Sequence, residues 1–185
     1  MIVSTMDMTT ELEILDLIHS FSSPGMDAFM LGVTTVSTYA AVWLLTAFFM
    51  MVIRRERRTG CSMVLAIVVA FILVDLVMKP LVCRERPCDL ADFDLLVPVP
   101  DTFSFPSGHT AMAFAGATVL LIRFRAWGIP AMVLATLVGI SRMYLYVHWP
   151  TDVLVGALVG MICAVVVYKL VAGSHDGSGI TRNRG

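Results

Sequence analysis

The residues best suited to do chemistry fall in three short strings. They are Lys79-Pro80-Leu81-Val82-Cys83-Arg84-Glu85-Arg86-Pro87, Pro106-Ser107-Gly108-His109, and Ser141-Arg142 followed by His148 and Asp152. Together they supply several cations, two histidines, a carboxylate and a glycine turn. A phosphoryl group in flight spreads negative charge over three oxygens, and fixed cations stabilise it. Lys79, Arg86 and Arg142 make one such set. Arg84 is a fourth candidate, or else a shield for the acids of the same loop. A carboxylate on one imidazole nitrogen fixes the tautomer and leaves the other nitrogen free to attack. His148 and Asp152 suit that arrangement, because Pro150 between them can open a helix with Asp152 in its first turn. Ser107 is a good N-cap, and Gly108 lets a phosphate approach the backbone closely. Unpaired amides at a helix start attract anions, and His109 would stand beside one, able to protonate a leaving oxygen.

Each residue alone also has an ordinary explanation. Lys79 ends a span and could snorkel, Asp152 could simply complement a helix dipole, and Ser-Gly-His could be a plain cap. His148 could be an interfacial ring beside Trp149. Arg142 is harder to set aside. It lies in the otherwise uncharged stretch 127–147, and a guanidinium at membrane depth costs on the order of 2.5–3.5 kcal/mol on insertion scales. Asp75 lies four residues before Lys79 and can pair with it if the helix persists, making Lys79 tolerable in a membrane.

The elements that must position these groups are hydrophobic. Of 185 residues, 58% are hydrophobic and only 15% charged, whereas a soluble domain is nearer a quarter charged. The mean hydropathy is +0.84. The chain reads as an all-α, polytopic membrane helix bundle with one membrane-embedded domain, residues 24–172. An N-terminal amphipathic segment, 1–23, precedes it, and a disordered cytoplasmic tail, 173–185, follows. Leu12, Leu15, Ile18 and Phe21 lie three residues apart with Glu11, Glu13 and Asp16 between them, the pattern of an interfacial helix. The apolar runs are 28–53, 61–78, 110–122, 127–147 and 153–171. Residues 28–53 are long enough for one tilted span or for two pieces broken near Ser37-Thr38-Tyr39, and the broken form is expected. That gives five clear spans plus a short or broken first helix, about six.

Orientation follows from Lys and Arg in short loops. Arg54, Arg55, Arg57 and Arg58, then Arg123 and Arg125, then Lys169, Arg182 and Arg184 all fall on one side of an alternating path. That side is expected to be cytoplasmic. The 79–106 loop and the 144–151 connection then share the outer face, so all three strings converge there.

Other features narrow the possibilities. A net charge of −1 argues against nucleic acid as a partner. The 13 methionines read as apolar filler. None of Cys61, Cys83, Cys88 and Cys163 forms a C-x-x-C pair, and no acidic cluster has metal-ligand spacing, so no metal and no cofactor is expected. Cys83 and Cys88 could bond in an oxidising space, but two free thiols is the expected state. Asp7, Glu11, Glu13 and Asp16 near the start argue against a cleavable signal peptide.

The three strings together resemble the type 2 phosphatidic acid phosphatase and vanadium haloperoxidase superfamily. That family carries K-x-x-x-x-x-x-R-P, then P-S-G-H, then S-R-x-x-x-x-x-H-x-x-x-D. Lys79, Arg86-Pro87, Pro106 to His109, Ser141-Arg142, His148 and Asp152 match every fixed position in order. The resemblance implies that His148 is the nucleophile, Asp152 its orienter and His109 the general acid. It implies that Lys79, Arg86 and Arg142 hold the phosphate with Ser107 and the Gly108 amide, without a metal. Asp75 stands where many relatives carry an amide. The small size and hydrophobic spans look like short bacterial members acting on lipid phosphates or polyprenyl diphosphates. The expected function is removal of a terminal phosphate from such an amphiphile at the outer membrane face, through a phosphohistidine. The alternatives are a lipid phosphotransferase using the same site and a non-enzymatic lipid-binding or transport protein on the same scaffold.

Overall fold

The computed structural model describes residues 8–90 and 95–173, and every regular element in them is helical. Asp92 and Asp94, and the tail beyond Gly173, lie outside the described residues. Gly173 itself ends the last helix instead of opening a tail.

The surface helix α1 spans Met8–His19. Its buried face is the one the leucine spacing predicts, with Leu15 buried and Leu12 and Ile18 packed on buried clusters, but it also takes in an acid. Glu11 is buried together with Leu15, while Phe21 lies beyond the helix end and is exposed. The boundary between the N-terminal segment and the membrane domain, at Ser22-Ser23-Pro24-Gly25, has a local cause. Ser23 caps α2 (Pro24–Val36) by accepting from the Met26 amide at 3.3 Å, with Pro24 preset in the first turn. α2 ends at Ser37, and a short 3₁₀ turn leads into α3 (Ala41–Val52). The break thus falls where the sequence places it, and Ala40 there has a left-handed φ of 56°.

α4 (Arg57–Phe71) runs into a seven-residue π-helical stretch, Ile72–Met78, and then into α5 (Lys79–Val82). Such widened turns are frequent at functional sites. Here the stretch carries Asp75 and delivers Lys79. Cys83 then takes a left-handed conformation, φ 52°, and turns the chain into the long loop. α6 spans Gly108–Arg123, α7 Arg125–Tyr144 and α8 Pro150–Gly173. Sequence hydropathy carries α7 to Val147. The helix stops at Tyr144 because Tyr146 adopts φ 56°, a conformation that ends a right-handed helix. All four cysteines are free thiols, Cys83 exposed and Cys88 buried.

α6 is the central helix, packed on α4, α7 and α8. Ala111, Ala113, Ala115 and Ala117 are all buried on it. Between helices in lipid, association relies on close packing, and small side chains permit that approach. Trp43 of α3, with Met63, Ala66 and Ala70 of α4, completes the core. One end of the bundle is closed by Glu56, which accepts from Arg123 Nε at 3.0 Å and Nη2 at 2.5 Å. That pairing holds the Glu56 carboxyl below its usual range. The other end carries α1, the long loop and the 145–149 connection.

Among the described residues, three helical stretches are long and apolar enough to cross a membrane: Arg57–Val82, Arg125–Tyr144 and Pro150–Val171. α2 and α3 together make a fourth, bent by 44°. α6, with 16 residues, reaches about 24 Å, less than the ~30 Å hydrocarbon core. Among the described residues, length and composition alone therefore meet this test for three or four of the expected five or six spans.

Candidate active site

Proline chemistry sets the first group. Arg86 precedes Pro87, which favours an extended backbone, and Arg86 has φ −88° and ψ 153°. Pro87–Asp89 then form a 3₁₀ turn, closed by the Asp89 carboxylate accepting from the Arg86 amide at 2.9 Å. The side chain is thereby aimed inward and is 3% exposed. Arg86 Nε donates to Thr102 O at 2.8 Å and Nη1 to Val147 O at 2.6 Å. Nη2 donates to Thr102 Oγ1 at 3.1 Å and to Phe103 O at 3.2 Å. One longer contact remains, from Nη1 to His148 Nε2 at 3.4 Å.

His148 is delivered by the tight connection between α7 and α8. The left-handed Tyr146 reverses the chain, and the Trp149 carbonyl accepts the first bond of α8, from Val153 at 3.2 Å. Asp152, in that first turn, reaches back and accepts from the Trp149 amide at 2.9 Å, half of a capping box. Its Oδ2 also accepts from Ser104 Oγ and lies 3.5 Å from His148 Nδ1. That last distance is long for a hydrogen bond, and such contacts often tighten only when substrate binds. The neighbours place the proton on Nδ1 and the lone pair on Nε2. Burial, with Arg86 and Arg142 nearby, outweighs Asp152 and holds the His148 imidazole well below the usual histidine range. It is therefore neutral at neutral pH, the state a nitrogen nucleophile requires.

Nε2 faces a cavity of about 290 Å³. Lys79, Arg86, Gly108, His109, Arg142 and Asp75 line it, with Thr38, Phe71 and Met112 on its apolar side. Lys79 Nζ pairs with Asp75 Oδ1 at 2.5 Å, as the i,i+4 spacing predicts, and lies 3.4 Å from Thr102 Oγ1. Arg142 is buried and donates from Nη1 to Thr34 Oγ1 at 2.7 Å. Its Nε is buried with no hydrogen-bond partner among the described residues.

The Pro-Ser-Gly-His turn differs from expectation in one respect. Ser107 occupies the N-cap position of α6, and its carbonyl accepts from Ala111 at 3.0 Å, but its hydroxyl does not cap the helix. That hydroxyl accepts from Thr110 Oγ1 at 2.9 Å, and the Ser107 amide donates to Asp152 O at 3.0 Å. Gly108 and His109 form the cavity wall, with Ser107 buried behind them. Two glycines make the turn possible. A Cβ at Gly108 would lie 2.6 Å from Asp75 Oδ2, and one at Gly156 of α8 would lie 2.6 Å from the Ser107 carbonyl.

The eight residues singled out by sequence thus meet at one end of the bundle. Thr34, Thr102 and Ser104 join them without having been singled out. Arg84 departs from the cation set. It lies against Asp152, Thr151 and Glu11, away from the cavity lining. At the opposite end, Arg55, Arg58 and Arg123 border a cavity of about 320 Å³. It offers no imidazole or thiol and is partly closed by the Glu56–Arg123 pair.

The PAP2 superfamily profile matches residues 59–176, a stretch that contains all eight of these residues. The chain belongs to the PAP2 superfamily. Among PAP2 relatives, an undecaprenyl-diphosphatase of Sulfolobus acidocaldarius is 36% identical over 64% of this chain and 58% of its own length. The chain therefore spans less than two thirds of that relative. A decaprenylphosphoryl-5-phosphoribose phosphatase of Mycobacterium tuberculosis is 32% identical over 81% of this chain and 83% of its own. The crystal structure of Aquifex aeolicus LpxE superposes with a TM-score of 0.75 at 34% identity, covering 85% of this chain and 94% of that one. The PAP2 match begins at residue 59, so α1, α2 and α3 lie outside it.

Proposed function

We propose that this protein is an integral membrane phosphatase that removes the terminal phosphate of a lipid phosphate or polyprenyl diphosphate. The observation that carries this reading is the placement of His148, with Nδ1 toward Asp152 and Nε2 toward a cavity bordered by three cations. His148 Nε2 attacks phosphorus, and the bond from phosphorus to the leaving oxygen breaks. His109 gives its proton to that oxygen. Water then attacks the phosphohistidine, returns a proton to His109 and frees inorganic phosphate and the neutral imidazole. Lys79, Arg86 and Arg142 stabilise the charge on the phosphoryl oxygens, with the Gly108 amide and Ser107 at the helix start. A bound phosphate dianion also favours the protonated form of His109, as its acid role requires. The names of two relatives, an undecaprenyl-diphosphatase and a decaprenylphosphoryl-5-phosphoribose phosphatase, support an amphiphilic substrate.

The test is phosphate release by detergent-solubilised protein from a panel of lipid mono- and diphosphates. Activity is expected to survive EDTA, because fixed cations supply the stabilisation. Vanadate is expected to inhibit by resembling five-coordinate phosphorus. A strict Mg²⁺ requirement would sink the mechanism. Recovery of the phosphate on an added lipid or sugar acceptor would favour the phosphotransferase reading.

The chain crosses the bilayer five times in this reading, through α3, the α4–α5 rod, α6, α7 and α8. α2 is the short arm of the broken first span, and the short α6 crosses within the shelter of its neighbours. Residues 24–172 form the one embedded domain. The arginines at 54–58, with Arg123 and Arg125, place that end in the cytoplasm, so the catalytic end faces outward. In a cysteine-free background, a single cysteine at Asp101 should react with an impermeant maleimide on intact cells, and one at Arg57 should not. The reverse pattern would overturn the sidedness.

A further inference from the structure

Arg84 makes a set of contacts that phosphate binding does not explain. Its Nη1 donates to Asp152 Oδ1 and to Thr151 Oγ1, each at 2.7 Å. Its Nη2 is ion-paired with Glu11, 73 residues away in sequence. The guanidinium lies 5.1 Å from the Trp149 ring centroid. Glu11 is 2% exposed, and its Oε1 accepts from the Thr151 amide at 3.0 Å and the Thr151 hydroxyl at 2.5 Å. Two more contacts tie α1 to the same connection. Asp16 accepts from the Tyr146 hydroxyl, and His19 Nδ1 lies 3.4 Å from the Tyr144 carbonyl. The segment that carries His148 is thus held from α1 at Tyr144, Tyr146 and Thr151.

The geometry divides the work of Asp152 between its two oxygens. Oδ2 accepts from Ser104 and the Trp149 amide and lies 3.5 Å from His148 Nδ1, while Oδ1 takes Arg84. A carboxylate this buried is costly to keep charged without a cation. Without Arg84 it would rotate or take up a proton, and a protonated acid no longer selects the Nδ1–H tautomer of His148. At its far end Arg84 is ion-paired through Nη2 with Glu11. We propose that Glu11 and Arg84 are positioning residues through which α1 sets the orientation of Asp152 and the tautomer of His148. This rests on the reading of His148 as nucleophile. It makes the surface helix, outside the stretch that matches the family, a working part of the site.

The test uses the full chain in detergent with Arg84→Met, Arg84→Lys, Glu11→Gln and the double variant Glu11→Gln/Arg84→Met. In Arg84→Met, kcat on p-nitrophenyl phosphate is expected to fall roughly 10–100-fold, the range typical when an outer partner that orients a histidine is lost. KM and the vanadate inhibition constant should stay within about 2-fold, because Arg84 does not line the cavity. Arg84→Lys should recover part of kcat, since an ammonium can keep Asp152 but not the whole fork. The double variant removes both charges together and guards against misfolding from an unpaired Glu11. It should be no slower than Arg84→Met, because both changes break one link. The second readout is the ¹⁵N spectrum of histidine-labelled protein, with the His148 signals assigned by their loss in His148→Gln. Wild type should show the Nδ1–H tautomer, and Arg84→Met a mixture. Vanadate affinity falling in step with kcat would overturn the proposal and return Arg84 to the phosphate site. An unchanged His148 tautomer would also overturn it. A wild-type chain inert on every phosphate, whose tautomer still depends on Arg84, would remove the functional reading and leave this inference standing.

Discussion

His148→Ala is expected to release no phosphate above background from any substrate, whereas the effect of His109→Ala should depend on what is leaving. Without the His148 imidazole there is no atom to carry the phosphoryl group, so no phosphoenzyme forms. The other groups that line the cavity are engaged: the Thr102 hydroxyl accepts from Arg86, the Thr38 hydroxyl donates to the Thr34 carbonyl, and Asp75 is paired to Lys79. His109→Ala removes only a proton donor. General acid help is typically worth about 10²–10⁴-fold when the departing oxygen is basic. A lipid alcohol should therefore feel the loss fully, and p-nitrophenolate, which leaves with little protonation, should feel much less of it. The measurement is phosphate release by both variants on a lipid phosphate and on p-nitrophenyl phosphate, after each is shown to be folded. Equal losses on the two substrates with His109→Ala, or substantial turnover with His148→Ala, would reverse or remove these assignments.

Arg142→Gln should slow turnover by about 10²–10³-fold, the usual cost of losing one preorganised donor to a developing negative charge. The guanidinium is 7% exposed and spends Nη1 on Thr34, yet its Nε has no hydrogen-bond partner among the described residues. A buried donor left unmade is expensive in a resting protein. Its cost is offset only if an acceptor arrives, and the cavity it borders is where the phosphate is placed. Vanadate should bind correspondingly more weakly to the variant. Thermal stability should hold or rise, because a buried charge has been replaced by a neutral amide. Slow turnover with undiminished vanadate affinity would mean that Arg142 shapes the wall without touching the phosphate. Thr34→Val, which removes the hydroxyl that aims the guanidinium, should show the same trend at smaller amplitude.

The strings that form the candidate site were legible in the sequence because each combines residue types that are costly to bury with spacings that local structure fixes. Asp152 lies four residues beyond His148, so one helix turn is enough to bring their side chains together. Lys79 and Asp75 are similarly bound by a single stretch of helix. Thr34, Thr102 and Ser104 carry no such mark. Each is an ordinary hydroxyl, and only tertiary folding puts it against a charged group. Glu11 was actively misleading. Among Glu13 and Asp16 it has the look of a solvated helix face, and the partner that lets it be buried is 73 residues away. The π-helical stretch and the left-handed Tyr146 were hidden for a different reason. Tyr146 is neither glycine nor proline, so packing imposes its conformation, while the π-helical stretch stops just short of Pro80, which cannot donate to the Leu76 carbonyl four residues back and in the sequence reads only as a helix stop.

α7 is the least apolar of the three clear spans, with a mean hydropathy of 1.4 against 2.8 for Arg57–Val82 and 2.4 for Pro150–Val171. It carries Arg142 in its last turn, and it is separated from α6 by the single residue Phe124. During synthesis α7 must enter the bilayer before the site that justifies its arginine exists. A link of one residue leaves no room for α6 to settle alone. The two helices would partition as one hairpin, with the small-residue face of α6 covering α7 from the outset. The buried arginine then never meets bare lipid, and the same short connection that looks like economy of chain is what makes the insertion of the candidate site feasible.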